Sequence, residues 1–484
     1  MERRSRRLSG AFLAATALAI TACADDATTP AEPDVAAPSF AVAGGGSDFI
    51  VIARAEALPP DFEARMRDAG GVVRRAYPQV GVAVVRSADP AFDVRAAGVP
   101  GIDVVVPDLV IQWQEPAEAA PVLEAVAGGD VAETASLGDD ETFFGLQWAP
   151  GAIHAPEAWA AGYTGRGVRV AVVDGGIYDR HVDLDDNLDV AASASFIPGF
   201  AFNEDVGTFW HGTHVAGIIA AEDNGIGTIG IAPEATIIGV KVLHDGSGPF
   251  SAVIGGIIYA ATPVAEGGAG ADIINLSLGA LFDEKAKEFK HAAHDLMKAI
   301  DRATGYAHKR GVLVIGAAGN EAVDLDAMKT LTFTPAANRH VIAVAATGPL
   351  GWALGSTGFD RPASYTNFGR SLVDIAGPGG DFALPGDDLC AVPTLLGPIV
   401  QPCWVFDMVL STTRGGSAST SSYSWAAGTS MAAPAVAGVA ALLRQRYGDI
   451  PPAELQSRLL GSADGNGNNP FFGRGIVNAL NAVR

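Results

Sequence analysis

The 484-residue chain is short of cysteine, with three, and of charge, with Asp, Glu, Lys and Arg making up 18%. Three cysteines are too few for a small scaffold built from disulfides. An apolar share of 49% beside so little charge excludes a disordered chain. Cations are in deficit: 32 Lys and Arg stand against 54 Asp and Glu, a net charge of −22. No basic run follows the first residues, so the clustered cations that phosphate binding needs are missing and nucleic acid is not an expected partner. The zinc pattern His-Glu-x-x-His is absent too.

The N-terminus carries a different signal. Arg3, Arg4, Arg6 and Arg7 precede an apolar stretch from Ala11 to Ile20 that ends in Thr21 and Ala22. This is the pattern of an export signal over residues 1–22, too short for a membrane span. Cys23 follows directly, and the junction resembles a bacterial lipobox, which implies acylation of Cys23. A stable anchor needs more than one acyl chain. The expected location is therefore outside the bacterial cytoplasm, either extracellular or as a lipoprotein of the cell envelope. With Cys23 set aside, Cys390 and Cys403 remain as a pair that an exported protein can oxidise to a disulfide.

Residues 23–47 are Ala, Thr, Pro, Asp and Gly, the composition of a tether. Residues 48–114 read as a small α+β domain. Apolar strands at Phe49–Ile52, Val72–Val73, Val80–Val85, Val104–Val106 and Val110–Ile111 alternate with helices at Pro59–Ala69 and Asp89–Ala97. The order β-α-β-β-α-β is ferredoxin-like. Residues 115–143 are again Ala, Glu, Gly and Asp, and read as a linker. From residue 144 to 484, continuous apolar runs (Val168–Val173, Thr236–Val242, Ile273–Leu276, Val312–Ile315, Val341–Ala345) alternate with helical stretches. That pattern predicts an α/β fold with a mostly parallel sheet flanked by helices, its chemistry at the C-terminal strand ends.

Three strings carry the chemistry. Val170-Ala171-Val172-Val173-Asp174 ends a buried strand in a carboxylate, which needs a partner there. His211-Gly212-Thr213-His214-Val215-Ala216-Gly217 opens a small-residue helix. Gly428-Thr429-Ser430-Met431-Ala432-Ala433-Pro434 places a serine before the helical run Ala435–Tyr447. Each alone has an ordinary reading: a turn Asp before Gly, a structural His, an N-cap Ser. In the order Asp, His, Ser they match the subtilisin order, unlike that of chymotrypsin or the α/β-hydrolases.

The strings resemble the three boxes of the subtilase family of serine peptidases, and the resemblance runs from about Leu146 to the C-terminus. It implies a serine endopeptidase with Asp174, His211 and Ser430 as triad, acting on peptides or proteins through an acyl-enzyme. Asn320, in Gly316-Ala317-Ala318-Gly319-Asn320, matches the oxyanion Asn, with the Ser430 N–H as second donor. Ser277, Leu278 and Gly279 look like one substrate-pairing strand; Gly246, Ser247 and Gly248, reached through Lys241-Val242-Leu243, look like its counterpart. Gly279 leaves room for a substrate side chain, and Phe250 lines an apolar pocket. No cofactor is implied for catalysis. A structural calcium is, with Asp183, Asn224, Ile226, Thr228 and Gln147 as ligands. The domain at 48–114 resembles the subtilase propeptide (the inhibitor I9 type), an intramolecular inhibitor and folding aid, with the maturation cut between Gln112 and Phe144. Gly175 stands where the family has Thr or Ser, and Trp210 where smaller residues are common. The stretch from Asn320 to Ser430 is longer than in compact members and holds the cysteine pair and a Gly/Ser-rich loop at Gly415–Ser424. A binding protein on the same scaffold is the second reading. A nucleotide-binding α/β protein is the third, and no Gly-x-Gly-x-x-Gly turn supports it.

Overall fold

A computed structural model of the protein describes residues 46–114, 119–124, 137–138, 140–207, 210–286, 290–414, 421–465 and 469–484. The expected export signal, Cys23 and nearly all of the tether lie outside the described residues. So does much of the linker.

The N-terminal domain follows the predicted order. Its elements are β1 (Ser47–Ala53), α1 (Phe62–Asp68), β2 (Val72–Tyr77), β3 (Val82–Ser87), α2 (Phe92–Ala97) and β4 (Ile102–Pro107). They form an antiparallel sheet in the order β2-β3-β1-β4. Helices of this length are unstable alone, so packing holds them. Phe62, Met66 and Phe92 are buried against Val51 and Val85, each contributing about 1.5–3 kcal/mol. Because side chains alternate along a strand, Ile50 and Ile52 face the other way, into the core of the large domain.

The segment Val110–Gln112, β5, differs from expectation. It does not join the small domain's sheet but pairs with β10 of the large domain. The linker also departs: Ala119–Glu124 forms a strand, β6, along β20. Its Ala-Ala-Pro-Val-Leu-Glu sequence has weak strand propensity, and pairing to a buried neighbour supplies what propensity lacks.

The large domain opens with two short helices, α3 (Ala149–Ala152) and α4 (Ala155–Ala160). Then come β7 (Arg169–Asp174), β8 (Ala194–Ser195), α5 (His211–Ala220), β9 (Thr236–Lys241), β10 (Ser247–Pro249) and α6 (Phe250–Ala261). The middle holds β11 (Ile273–Leu276), β12 (Ala280–Asp283), α7 (Lys290–Lys309), β13 (Leu313–Ala317), β14 (Leu331–Thr334), β15 (Val341–Thr347) and β16 (Ile375–Pro378). It closes with β17 (Leu389–Val392), β18 (Ile399–Pro402), β19 (Val409–Arg414), β20 (Ser421–Ala426), α8 (Thr429–Tyr447), α9 (Pro452–Gly461) and α10 (Ala479–Val483). Seven strands make one parallel sheet in the order β16-β15-β13-β11-β7-β9-β8. Along β7, Val170 and Val172 pack toward α5 and α8, while Ala171 and Val173 pack toward α6 and α7. Burial on both faces is why the strand reads as an unbroken apolar run.

The Gly/Ser-rich stretch is only partly a loop. Ser421–Ser424 belong to β20, where Ser422 and Ser424 are buried. Cys390 on β17 and Cys403 just after β18 are joined by a disulfide across that hairpin.

Candidate active site

The C-terminal ends of β7, β11 and β13 and the N-termini of α5 and α8 converge. Asp174 is the last residue of β7 and fully buried; His211 is the first of α5. Gly212 lets the helix come this close, since a Cβ there would lie 2.0 Å from the Gly176 carbonyl oxygen. His211 Nδ1 lies 3.0 Å from both carboxylate oxygens of Asp174. Burial alone would push the imidazole down, but the charge of Asp174, its hydrogen bond and the charge of Asp205 outweigh it, and the net shift is upward. His214, the second histidine of the string, turns away: its Nε2 meets the Ser424 carbonyl at 2.9 Å, and burial pushes it down to about 3.

Ser430 lies in the first turn of α8, which starts at Thr429, earlier than the sequence indicates. Pro434 sits inside the helix and has no N–H to give the Ser430 carbonyl. That carbonyl instead accepts from Ser277 Oγ at 2.8 Å, and Asn275 Nδ2 donates to Ser277 Oγ at 2.9 Å. Ser430 Oγ itself is 3.4 Å from the Ser277 carbonyl oxygen.

Asn320 is held by Thr429, whose N–H and Oγ–H both donate to Asn320 Oδ1 at 2.9 Å. Its Nδ2 is thereby turned toward Ser430. A Cβ built on Gly428 would stand 3.5 Å from Asn320 Nδ2 and 3.6 Å from the Ser430 nitrogen. Both nitrogens therefore lie close to Gly428, and Asn320 and Ser430 line one pocket.

Gly246, Ser247 and Gly248 meet a strand from the protein itself. In register, Ser247 pairs with Gln112, Gly248 with Ile111 and Pro249 with Val110. Trp113 N–H donates to the Gly246 carbonyl at 2.9 Å, and Gly279 N–H to the Trp113 carbonyl at 2.8 Å. The Trp113 ring is buried edge-on to Phe250, with centroids 4.6 Å apart. Leu278 and Gly279 line a pocket with Phe333, Asn320 and Ser430. Position 279 requires glycine, because a Cβ there would meet the Phe333 ring at 2.2 Å. Gln114, which sequence reasoning missed, reaches deepest. Its Nε2 is 2.9 Å from Asp174 Oδ1, 2.9 Å from His211 Nδ1 and 3.3 Å from the Ser277 carbonyl. The two oxygens around it require a donor there, which fixes the amide orientation.

The expected calcium ligands make hydrogen bonds within the loop and beside it. Gln147 uses both ends of its amide on Ile229, Asn224 Oδ1 accepts from Ile226 N–H, and Thr228 donates to Asp183 Oδ2. Another carboxylate enters the loop: Glu141 Oε1 accepts from the N–H groups of Asn224 and Gly225 at 2.7 and 2.9 Å. Glu141 Oε2 and Asp183 Oδ1 are buried without a hydrogen-bond partner among the described residues. Burial pushes Glu141 up to about 8 and Asp183 well above the usual carboxylate range, each raised further by neighbouring acids. Asp140, Glu141 and Asp223 offer oxygens within 4.8 Å of one another. Hard oxygen donors this close suit a divalent cation.

An Asp–His pair, a serine at a helix N-terminus and two convergent N–H donors, set at the C-terminal edge of a parallel sheet, define a serine-hydrolase type of site. The family model described as the subtilase family, Peptidase S8, matches residues 165–475. The chain belongs to the subtilase family, and it is a serine-type endopeptidase. M-protease of Shouchella clausii (strain KSM-K16) is 34% identical over 340 residues, covering 70% of each chain. Subtilisin BL of Lederbergia lenta is 33% identical, covering 70% of this chain and 99% of that one. Among solved structures, a protease from Pseudoalteromonas arctica aligns with a TM-score of 0.56 at 29% identity, covering 71% of this chain and 98% of that one.

Proposed function

We propose that the endopeptidase works through Asp174, His211 and Ser430 and is made as a zymogen that cuts itself. The observation that carries this reading is the chain's own extended segment seated against Gly246–Gly248 and Gly279, as a peptide substrate would be. Ser430 Oγ attacks the scissile carbonyl while His211 takes its proton, and Asp174 holds the imidazole and stabilises its charge. Asn320 Nδ2 and the Ser430 N–H bind the oxyanion. His211 then protonates the leaving amine, and water releases the acyl group. The Ser430→Ala variant tests the assignment; its expected size is given in the Discussion.

The N-terminal domain is the intramolecular inhibitor in this reading. Asp108 accepts from the Ser251 N–H at 3.0 Å at the start of α6. Arg302 on α7 donates to four carbonyls of the small domain, those of Ala53, Ala55, Val80 and Gly81, at 2.6–3.3 Å. Gln114 competes for the Asp174 oxygen on which His211 depends. Losing one charged donor shared by four acceptors, three of them on buried residues, costs about 3 kcal/mol. Arg302→Met is therefore expected to raise the inhibition constant of the cleaved domain about 10²-fold. Titrating mature enzyme with that domain measures it, and an unchanged constant contradicts the role of Arg302.

A calcium ion held by Asp183 and Glu141 would supply charge neutralisation of two buried carboxylates, a structural role away from the triad. Calcium at 100 times its dissociation constant is expected to stabilise the folded state by about 2.7 kcal/mol. For a domain of about 340 residues that raises the melting temperature by roughly 4 °C over chelator. Identical melts remove the site.

The same reading places the enzyme outside the cytoplasm. It begins as an exported precursor with an acylated Cys23, and the cut frees the catalytic domain from that anchor. Among the described residues no helix is long and apolar enough to cross a membrane.

A further inference from the structure

Behind the Asp174–His211 pair lies a second buried carboxylate. Asp205 is fully buried in the loop before α5. Its Oδ2 accepts from the Thr213 N–H at 2.9 Å and from Thr213 Oγ–H at 2.6 Å. Thr213 is two residues after His211, in the first turn of the same helix, and its Oγ also accepts from the Tyr178 N–H at 2.9 Å. One side chain thus ties His211's turn to the loop after β7.

The other oxygen, Oδ1, is buried with no hydrogen-bond partner among the described residues. A missing side chain accounts for this. Residue 175 is glycine, and a Cβ there would lie 3.3 Å from Asp205 Oδ1. A serine or threonine at this position would bring a hydroxyl beside that oxygen. Gly175 brings only its N–H, which is spent on Asp174 Oδ1 at 2.6 Å.

We propose that Asp205 is a positioning residue: it anchors the first turn of His211's helix through Thr213 and adds a second negative charge to the field that favours the imidazolium. The groups facing it are Asp174 at the end of β7, His211 on α5, Lys241 at the end of β9 and Glu204 on its own loop. Lys241 Nζ is committed to the backbone carbonyls of Gly175, Glu204 and Leu243, so it neutralises the pocket without binding Asp205 Oδ1. Burial pushes Asp205 up to about 7, with the Thr213 bond opposing and the Asp174 charge adding to the rise. Its charge is therefore in place on the alkaline side of neutrality.

The inference rests on His211 being the base, and the test separates the two claims. The pH dependence of kcat/KM is measured for wild type, Asp205→Asn and Gly175→Ser, each with a melting curve. An anion raises the pKa of a nearby imidazole, so removing it lowers that pKa and moves the acid limb to lower pH. For Asp205→Asn, which keeps an acceptor for Thr213, the limb is expected to fall by about half a unit to one unit. The alkaline plateau of kcat falls about tenfold, the equivalent of one pKa unit. A uniform loss with an unmoved limb overturns the proposal and leaves Asp205 a scaffold residue. Should Asp205→Asn fail to fold, Gly175→Ser decides. Its hydroxyl stabilises the ionised carboxylate, so the limb rises; an unmoved or lowered limb overturns the proposal. A wild-type profile with no acid limb near neutrality defeats the His211 reading first.

Discussion

Ser430→Ala is expected to lower kcat for a peptide substrate by about 10⁶-fold, the size of the loss that subtilisin suffers without its nucleophile. That is about 8 kcal/mol of transition-state stabilisation. The reason lies in the geometry. In the proposed mechanism the Asp174–His211 contact, at 3.0 Å, serves to take a proton from the serine. Without a hydroxyl to activate, the pair has no task, so Ser430→Ala and His211→Ala are expected to cost about the same, and the double variant no more than either. Binding is expected to be unaffected, because the backbone groups of Gly246–Gly248 and Gly279 that would hold the substrate do not depend on the Ser430 hydroxyl. KM therefore stays within about threefold. Active-site-titrated kinetics decide it: a loss below tenfold would mean that another nucleophile does the chemistry.

Asn320→Leu is the second large effect. Loss of one oxyanion donor costs subtilisin about 10²–10³ in kcat, or about 2.7–4 kcal/mol, and the same range is expected here. Thr429 makes the expectation specific. Its N–H and hydroxyl both hold Asn320 Oδ1, so Nδ2 is preorganised rather than swinging in solvent. The donor acts on charge that exists only in the transition state, so kcat falls and KM does not. A KM effect with kcat intact, seen in steady-state kinetics, would make Asn320 a substrate-binding residue instead.

How far the sequence reaches can be judged from particular residues. Asp174 was legible because β7 is buried on both faces and so stands out as an apolar run ending in a carboxylate. Ser430 and His211 were legible because each opens a helix rich in small residues. The ferredoxin-like order of β1 to β4 was legible from strand and helix periods. The partner of β5 was not: three residues carry no record of which sheet they join. The strand β6 was hidden because Ala, Pro and Glu read as linker, and only the tertiary neighbour β20 makes them a strand. Asp205 and Gln114 belong to no local pattern, since an isolated Asp in a loop and a Gln after a Trp are ordinary. Glu141 was passed over as linker, because its contacts with Asn224 and Gly225 join distant parts of the chain. Phe333, which crowds Gly279, was not legible, since it arrives from a strand more than fifty positions later.

These misses share a cause with the central claim. The segment from Val110 to Gln114 runs along Gly246–Gly248 and reaches Asp174 and His211, where the proposed function puts a peptide substrate. The measurement that tests this most directly follows intact mass and N-terminal sequence over time for two precursors lacking the first 23 residues, wild type and Ser430→Ala. The account predicts that wild type sheds its N-terminal domain through a cut between Gln112 and Phe144 and that Ser430→Ala remains whole. Two precursors that both stay whole, or that both shed the same fragment, would contradict it.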